Sequence, residues 1–157
     1  DTTVFTTDCA ILKGEELQRP GMIQFIKMLL RLPLRLHGLT NRAVVKKAAL
    51  VLGNPIICPS CTYDKEALGA PLFDSPYKFA LDWDTMWKLA DRPGRFTCVE
   101  RPLIRYRIHE GATTKACIED HRRTADETAM YGKIWPKPVV KVLMHFYRKA
   151  YSAYEKA

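Results

Sequence analysis

At 157 residues, with 47% apolar and 27% charged side chains, the chain has the composition of a globular domain around one core, and not that of a disordered segment. A net charge of +8 and a pI near 9.3 favour anionic partners (phosphates, nucleic acid, an acidic membrane face) without choosing among them. No apolar run is long enough to span a bilayer, which excludes a helical membrane anchor within this sequence.

The five cysteines are odd in number and scattered, which argues for a reducing, cytoplasmic setting. The chain opens Asp1-Thr2-Thr3-Val4-Phe5 with neither an initiator Met nor a signal-peptide pattern, and so reads as a piece of something longer. No linker divides it, and residues 1–157 are expected to form a single domain.

Val4 to Leu12 reads as strand or hairpin material turned at Lys13-Gly14-Glu15. From Gly21 the pattern becomes helical. Gln24, Lys27, Arg31 and Arg35 share one arc at 100° per residue, and Met22, Ile23, Phe25, Ile26, Leu29, Leu30 and Leu32 occupy the remainder. Such a helix is expected to face the core with its apolar side and solvent with its basic stripe. The same pattern also fits an interfacial helix on a membrane.

Pro33 ends or kinks that helix. A second helix is expected to start with Thr40 as its cap and to run through Arg42 to Leu52, stopping at Gly53. Pro55 to Tyr63 is a short buried strand or loop, and Lys65 to Leu68 fits one helical turn. Trp83, Met86, Trp87 and Ala90 share a face, so Asp82 to Ala90 is a helix stopped by Arg92-Pro93-Gly94. Arg95 to Val99 and Leu103 to His109 alternate like strands. Cys117 to Tyr131 and Val139 to Tyr154 complete the chain as helices separated by Trp135-Pro136-Lys137-Pro138.

Two clusters carry chemistry. Asp82 and Asp84 sit two positions apart at a helix start, so they point in nearly opposite directions. One can face a cleft while the other caps the helix, or both can simply be caps. A carboxylate facing a cleft beside a hydroxyl can take its proton as the hydroxyl attacks. On the later strand, Ile104, Tyr106 and Ile108 fall on one face and Arg105, Arg107 and His109 on the other. Two guanidinium groups and an imidazole suit phosphate oxygens or a phosphate-bound metal, though a solvated edge strand gives the same pattern. Gly111 and Thr113-Thr114 then offer a polar turn.

Cys58-Pro59-Ser60-Cys61 has redox-motif spacing, but Thr62-Tyr63 follow where a helix should open, and no second ligand pair is spaced for zinc. Two buried structural thiols are the expectation. Lys141, His145, Arg148 and Lys149 lie among aromatics on the last helix. No helix-turn-helix, zinc-finger or aromatic-strand motif supports nucleic-acid binding.

On these residues the chain resembles the C-terminal, acceptor-side part of a family 2 glycosyltransferase, the inverting nucleotide-sugar-dependent group with the GT-A fold. The resemblance runs from Val4-Phe5-Thr6-Thr7-Asp8 through Gly53-Asn54-Pro55 and Leu81-Asp82-Trp83-Asp84 to Tyr106-Arg107-Ile108-His109. It implies a helix-rich mixed α/β fold with a small sheet, lacking the nucleotide-binding half. It places the general base on Asp82, although Leu81 stands where many members carry Glu. It gives His109 a diphosphate or metal contact supported by Arg107, and it puts Trp83, Asp84 and Asn54 at the substrate.

The Asp-x-Asp motif that holds Mg²⁺ or Mn²⁺ in that family is missing, since Asp82-Trp83-Asp84 has the spacing but the context of the base motif. The resemblance therefore implies a nucleotide-sugar donor, a saccharide or other hydroxyl acceptor and a divalent metal for the intact enzyme. The fragment itself is expected to be inactive, to bind no metal, and to self-associate through uncovered apolar surface or adopt an altered local fold there. The setting implied is the cytoplasm, at most peripheral to the inner membrane face. The competing expectation is a basic, non-enzymatic module for an anionic membrane or nucleic acid.

Overall fold

The computed structural model describes residues 1–109, 117 and 121–155. Within them the chain is a mixed α/β fold, a four-stranded sheet with helices packed against it. Strand β1 (Thr2–Lys13) is its spine. Along one edge it pairs in parallel with β4 (Arg95–Ile108), from Thr2 opposite Arg95 to Lys13 opposite Ile108. Its other edge is shared by two short antiparallel strands, β3 (Thr62–Tyr63) beside Val4 and Phe5, and β2 (Glu16–Leu17) beside Leu12 and Lys13. Gly14, at φ 64°, makes the β1–β2 turn where a side chain would be strained.

The two strands expected at Arg95–Val99 and Leu103–His109 are one strand with an irregularity. Thr7 lies opposite Val99, but the next residue, Asp8, lies opposite Pro102, and Cys9 opposite Ile104. The extra residues around Glu100 and Arg101 bulge out, and Pro102, which cannot donate to a ladder, sits at that break.

Between β1 and β4 come α1 (Met22–Leu30), a 3₁₀ turn at Leu32–Arg35, α2 (Ala43–Ala48), a second 3₁₀ turn at Cys58–Ser60, α3 (Lys65–Leu68) and α4 (Leu81–Ala90). Helices α5 (Arg122–Ile134) and α6 (Lys137–Glu155) follow β4. No helix among the described residues is long and apolar enough to cross a membrane. Helix α2 starts two residues later than expected, with Arg42 instead of Thr40 before it, and ends at Ala48, short of Leu52. Thr40 is buried in the preceding turn, where its carbonyl accepts from Phe96 N–H at 3.2 Å instead of capping a helix.

The core gathers Val4 and Phe96 from the sheet, Leu50 and Ile56 from the segment after α2, Trp83, Met86 and Leu89 from α4, and Met130, Tyr131, Val140 and Met144 from α5 and α6. Edge-on aromatic contacts tie the last three helices together, Trp83 to Tyr131 at 4.9 Å and Tyr131 to Tyr147 at 5.7 Å between ring centroids. Three aromatic side chains donate to backbone carbonyls just beyond the end of α2. Trp83 Nε1 donates to Leu50 O (3.0 Å), Trp135 Nε1 to Val51 O (2.8 Å) and the Tyr131 hydroxyl to Leu52 O (2.9 Å). Lys46 is fully buried, stacks on Phe96, and donates from Nζ to the carbonyls of Arg92 (2.6 Å) and Gly94 (3.1 Å) beyond the end of α4. A short chain thereby fixes where α4 begins and ends relative to the sheet.

Candidate functional site

Helix α4 has no side-chain cap of its own, since the residue before it is Ala80. The cap comes from α5. Asp126 Oδ2 accepts from the N–H groups of Lys78 (2.9 Å), Phe79 (2.7 Å) and Ala80 (3.3 Å), satisfying donors at the mouth of α4 with a negative charge. Asp84 is thereby left to other partners, while Asp82 accepts from Trp83 N–H, a free donor of the first turn.

Asp82 is half-buried in the first turn of α4. Its Oδ1 accepts from Trp83 N–H at 2.8 Å, and its carboxylate also receives the Asn54 carboxamide. Asn54 is held for this by its other end, where Oδ1 accepts from Ile56 N–H at 3.1 Å. Lys27, reaching in from α1, supplies the opposing charge. Burial raises the Asp82 carboxyl above the ordinary carboxylate range, against the pull of Trp83 N–H, Lys27 and Asn54. Burial likewise lowers Lys27, with Asp82 acting against it. The Asp82 charge also acts on the Cys58 and Cys61 thiols and the Tyr63 hydroxyl, all raised chiefly by burial. Burial pushes Cys58 up to about 11, which leaves it a protonated thiol at neutral pH. The two thiols, expected to be buried, are not: Cys58 is exposed and Cys61 half-buried.

Asp84 has the opposite surroundings. It is 1% exposed, and Oδ1 accepts from Lys133 Nζ at 2.7 Å while Oδ2 pairs with Lys88 Nζ at 2.9 Å. Burial would raise its carboxyl, but Lys133, Lys88 and Ser75 outweigh burial and hold it below the usual range. Asp84 thus bridges α4 to α5. Trp83, 3% exposed, turns into the core, where its ring face is taken by Tyr131 and its N–H by Leu50. Of the run Asp82-Trp83-Asp84, only Asp82 is left partly exposed.

Arg107 and His109 are exposed near the far end of β4. Arg107 Nη1 donates to Gly14 O at 3.2 Å, pinning the β1–β2 turn, and Arg107 sits opposite Leu12. Lys27 reaches β1 at Cys9, three residues earlier, or roughly 10 Å along the strand. No described contact joins Arg107 or His109 to Asp82. The polar turn at Gly111 and Thr113-Thr114 lies outside the described residues. Among the described residues no three of His, Cys, Asp and Glu converge as metal ligands.

No family model, curated protein or solved structure matches this chain.

Sequence reasoning missed two residues of the site. Lys27 belongs to the basic stripe expected to face solvent, yet it turns inward to Asp82. Asp126 sits in the middle of α5, where a carboxylate reads as a solvated helix residue. Neither has a local signal, because each acts on an element distant in sequence. What remains is one carboxylate with raised proton affinity, an ammonium and an amide beside it, and thiols within reach of its charge. The chemistry open to that set is acceptance of a proton from a hydroxyl placed against the carboxylate.

Proposed function

We propose that this chain is the acceptor-side part of an inverting glycosyltransferase, in which Asp82 takes the proton of an acceptor hydroxyl as that oxygen attacks the sugar of a nucleotide-diphosphate donor. The observation that carries the reading is the separation of the two aspartates of α4. Asp84 is buried, spent on two lysines and held low, while Asp82 is left partly exposed and pushed up. Two like groups driven apart by their surroundings are the pattern of an acid–base site.

Each neighbour then has a part. Asn54 and Trp83 N–H orient the carboxylate, and Lys27 keeps it ionised in surroundings that would otherwise favour the neutral acid. When the acceptor proton arrives, burial stabilises the neutral Asp82 that results. Donor binding is assigned to the rest of the intact enzyme, and the chain alone is expected to show no turnover, because in-line displacement needs donor and base held together.

The test is Asp82→Asn in the intact enzyme. The amide keeps the shape and cannot take the proton, so transfer falls by at least about a hundredfold while nucleotide-sugar affinity stays near that of the parent. Equal transfer rates in the two proteins would remove Asp82 from the mechanism.

A further inference from the structure

Cys58-Pro59-Ser60-Cys61 lies on the second 3₁₀ turn, and that turn is held on both sides. Cys61 N–H donates to Cys58 O at 3.0 Å and Ser60 N–H to Ile57 O at 2.8 Å, while Pro59 fixes its own φ between them. The Ser60 hydroxyl donates to Ile57 O at 2.7 Å and lies 2.8 Å from the Thr6 hydroxyl, which ties the turn to β1. Beyond it the chain leaves as β3, with Thr62 and Tyr63 beside Phe5 and Val4. A 3₁₀ turn rises about 2.0 Å per residue and closes in about three residues. Residues three apart therefore stand on one side of it, with Cα atoms about 6 Å apart. A disulfide spans Cα separations of about 4.4–6.8 Å, so the backbone holds Cys58 and Cys61 where one can close.

The two sulfurs are placed differently. Cys58 is exposed, whereas Cys61 is half-buried and donates from Sγ to Ile57 O at 3.5 Å. Burial raises the Cys61 thiol, and the hydroxyls of Tyr63, Thr6 and Ser60 act against it by favouring the thiolate. The Tyr63 hydroxyl is buried and has no other hydrogen-bond partner among the described residues. Cys58 is raised by burial, by Asp82 and by the nearby charge of Cys61 itself. Of the other thiols, Cys98 and Cys117 are buried. Cys9 is half-buried on β1, three residues past Thr6, or roughly 10 Å along the strand.

We propose that Cys58 and Cys61 form a reversible dithiol–disulfide site that exchanges with small-molecule disulfides and dithiols. The exposed Cys58 sulfur, as thiolate, attacks one sulfur of a reagent disulfide, forming a mixed disulfide and releasing one reagent thiolate. Cys61, as the thiolate its hydroxyl neighbours favour, then attacks the Cys58 sulfur. The internal S–S bond forms, the mixed bond breaks and the second reagent thiolate leaves. The protein sulfurs give up two electrons, and their two protons pass to the two reagent thiolates. Because burial holds Cys58 at about 11, exchange at neutral pH is slow, and the bond once formed opens slowly. The pair thus holds a redox state and does not turn over. It is independent of the reaction assigned to Asp82.

The test equilibrates the chain without oxygen in mixtures of oxidised and reduced glutathione, followed by acid quench, alkylation and peptide mass mapping. The expected product lacks two hydrogens, carries its bond in the peptide of Cys58 and Cys61, and retains no glutathione. Cys61→Ser should stop at a glutathione adduct on Cys58. Cys58→Ser should take up glutathione on Cys61 at least about tenfold more slowly than that, because access limits the attack. In concentrated urea, where the turn is lost, the parent chain should need a glutathione mixture at least about tenfold more oxidising to half-form the bond. A parent product that stops at the Cys58 adduct, a bond to another cysteine instead, or half-formation in the same mixture with and without urea overturns the proposal. The urea comparison uses no variant, so it decides even where a Ser replacement does not fold.

Discussion

Asp82 and Lys27 form the pair on which the proposed chemistry depends, and each is perturbed in the sense that burial dictates: the acid is pushed up and the base down. Their mutual attraction opposes both shifts. Removing the ammonium therefore leaves desolvation less opposed, and Lys27→Met is expected to raise the Asp82 carboxyl further. A ¹³C NMR titration of the Asp82 carboxyl in the folded chain reads this directly. An unmoved or lowered titration would show that Lys27 does not govern Asp82. In the intact enzyme the same substitution should carry the acid limb of the transfer profile to higher pH, since less of the base is ionised at any given pH.

At the scale of elements, the site depends on where α4 starts, and the cap for that start is supplied by α5. Replacing Asp126 with Ala removes the acceptor for three backbone N–H groups and should cost about 1–2 kcal/mol. The amides of Lys78, Phe79 and Ala80 should lose hydrogen-exchange protection before those in the middle of α4. Uniform loss across α4, or none, would deny Asp126 the capping role. The contrast with what the sequence shows is physical. The β1 turn at Gly14, the single turn Lys65–Leu68 and the stop after Ala90 are written in adjacent residues, and all three are found where local turn and cap chemistry places them. The continuity of β4 is not, because a proline inside a ladder and a strand break look alike until the partner strand shows that the pairing resumes at Ile104. The facing of α1 is likewise illegible, since periodicity gives two stripes and not the side on which the core lies. Asp8, which draws Arg31 inward at 3.0 Å, decides it, and the apolar residues Met22, Phe25, Ile26 and Leu29, expected to face the core, are left exposed.

At the scale of the whole molecule, α5 and α6 close over the core and bury an acid in doing so. Glu127 is 5% exposed and pairs with Arg123 at 3.2 Å. Burial raises its carboxyl to about 7, against the pull of Arg123. A carboxyl raised in the native state binds its proton there over a range where the unfolded chain has already lost it. Its contribution to stability is thus complete below the unfolded value near 4.5 and is lost as pH rises towards about 7. The full shift corresponds to at most about 3 kcal/mol. Urea midpoints should fall across this interval, and Glu127→Gln should flatten most of the fall. Asp82 contributes a residual slope of the same sign. Asp84, held low, acts oppositely: the stability it lends is present above the ordinary carboxylate value and is lost as pH drops through its depressed one. An unchanged slope in the Gln variant would show that Glu127 is ionised in the folded protein.

The fold was more legible than the site. Alternating strands and the α4 face announced a mixed α/β architecture, whereas the roles within Asp82-Trp83-Asp84 were set by Lys133, Leu50 and Lys27, all remote in sequence. The most direct measurement of the central claim is a comparison of Asp82→Asn with Asp84→Asn in the intact enzyme, recording turnover per folded molecule and the urea midpoint for each. The account predicts that the Asp82 variant folds with little loss of stability and does not transfer sugar. It predicts that the Asp84 variant loses about 2 kcal/mol of stability with its lysine pairs and keeps its turnover. Transfer retained by the first and abolished in the folded form of the second would contradict it.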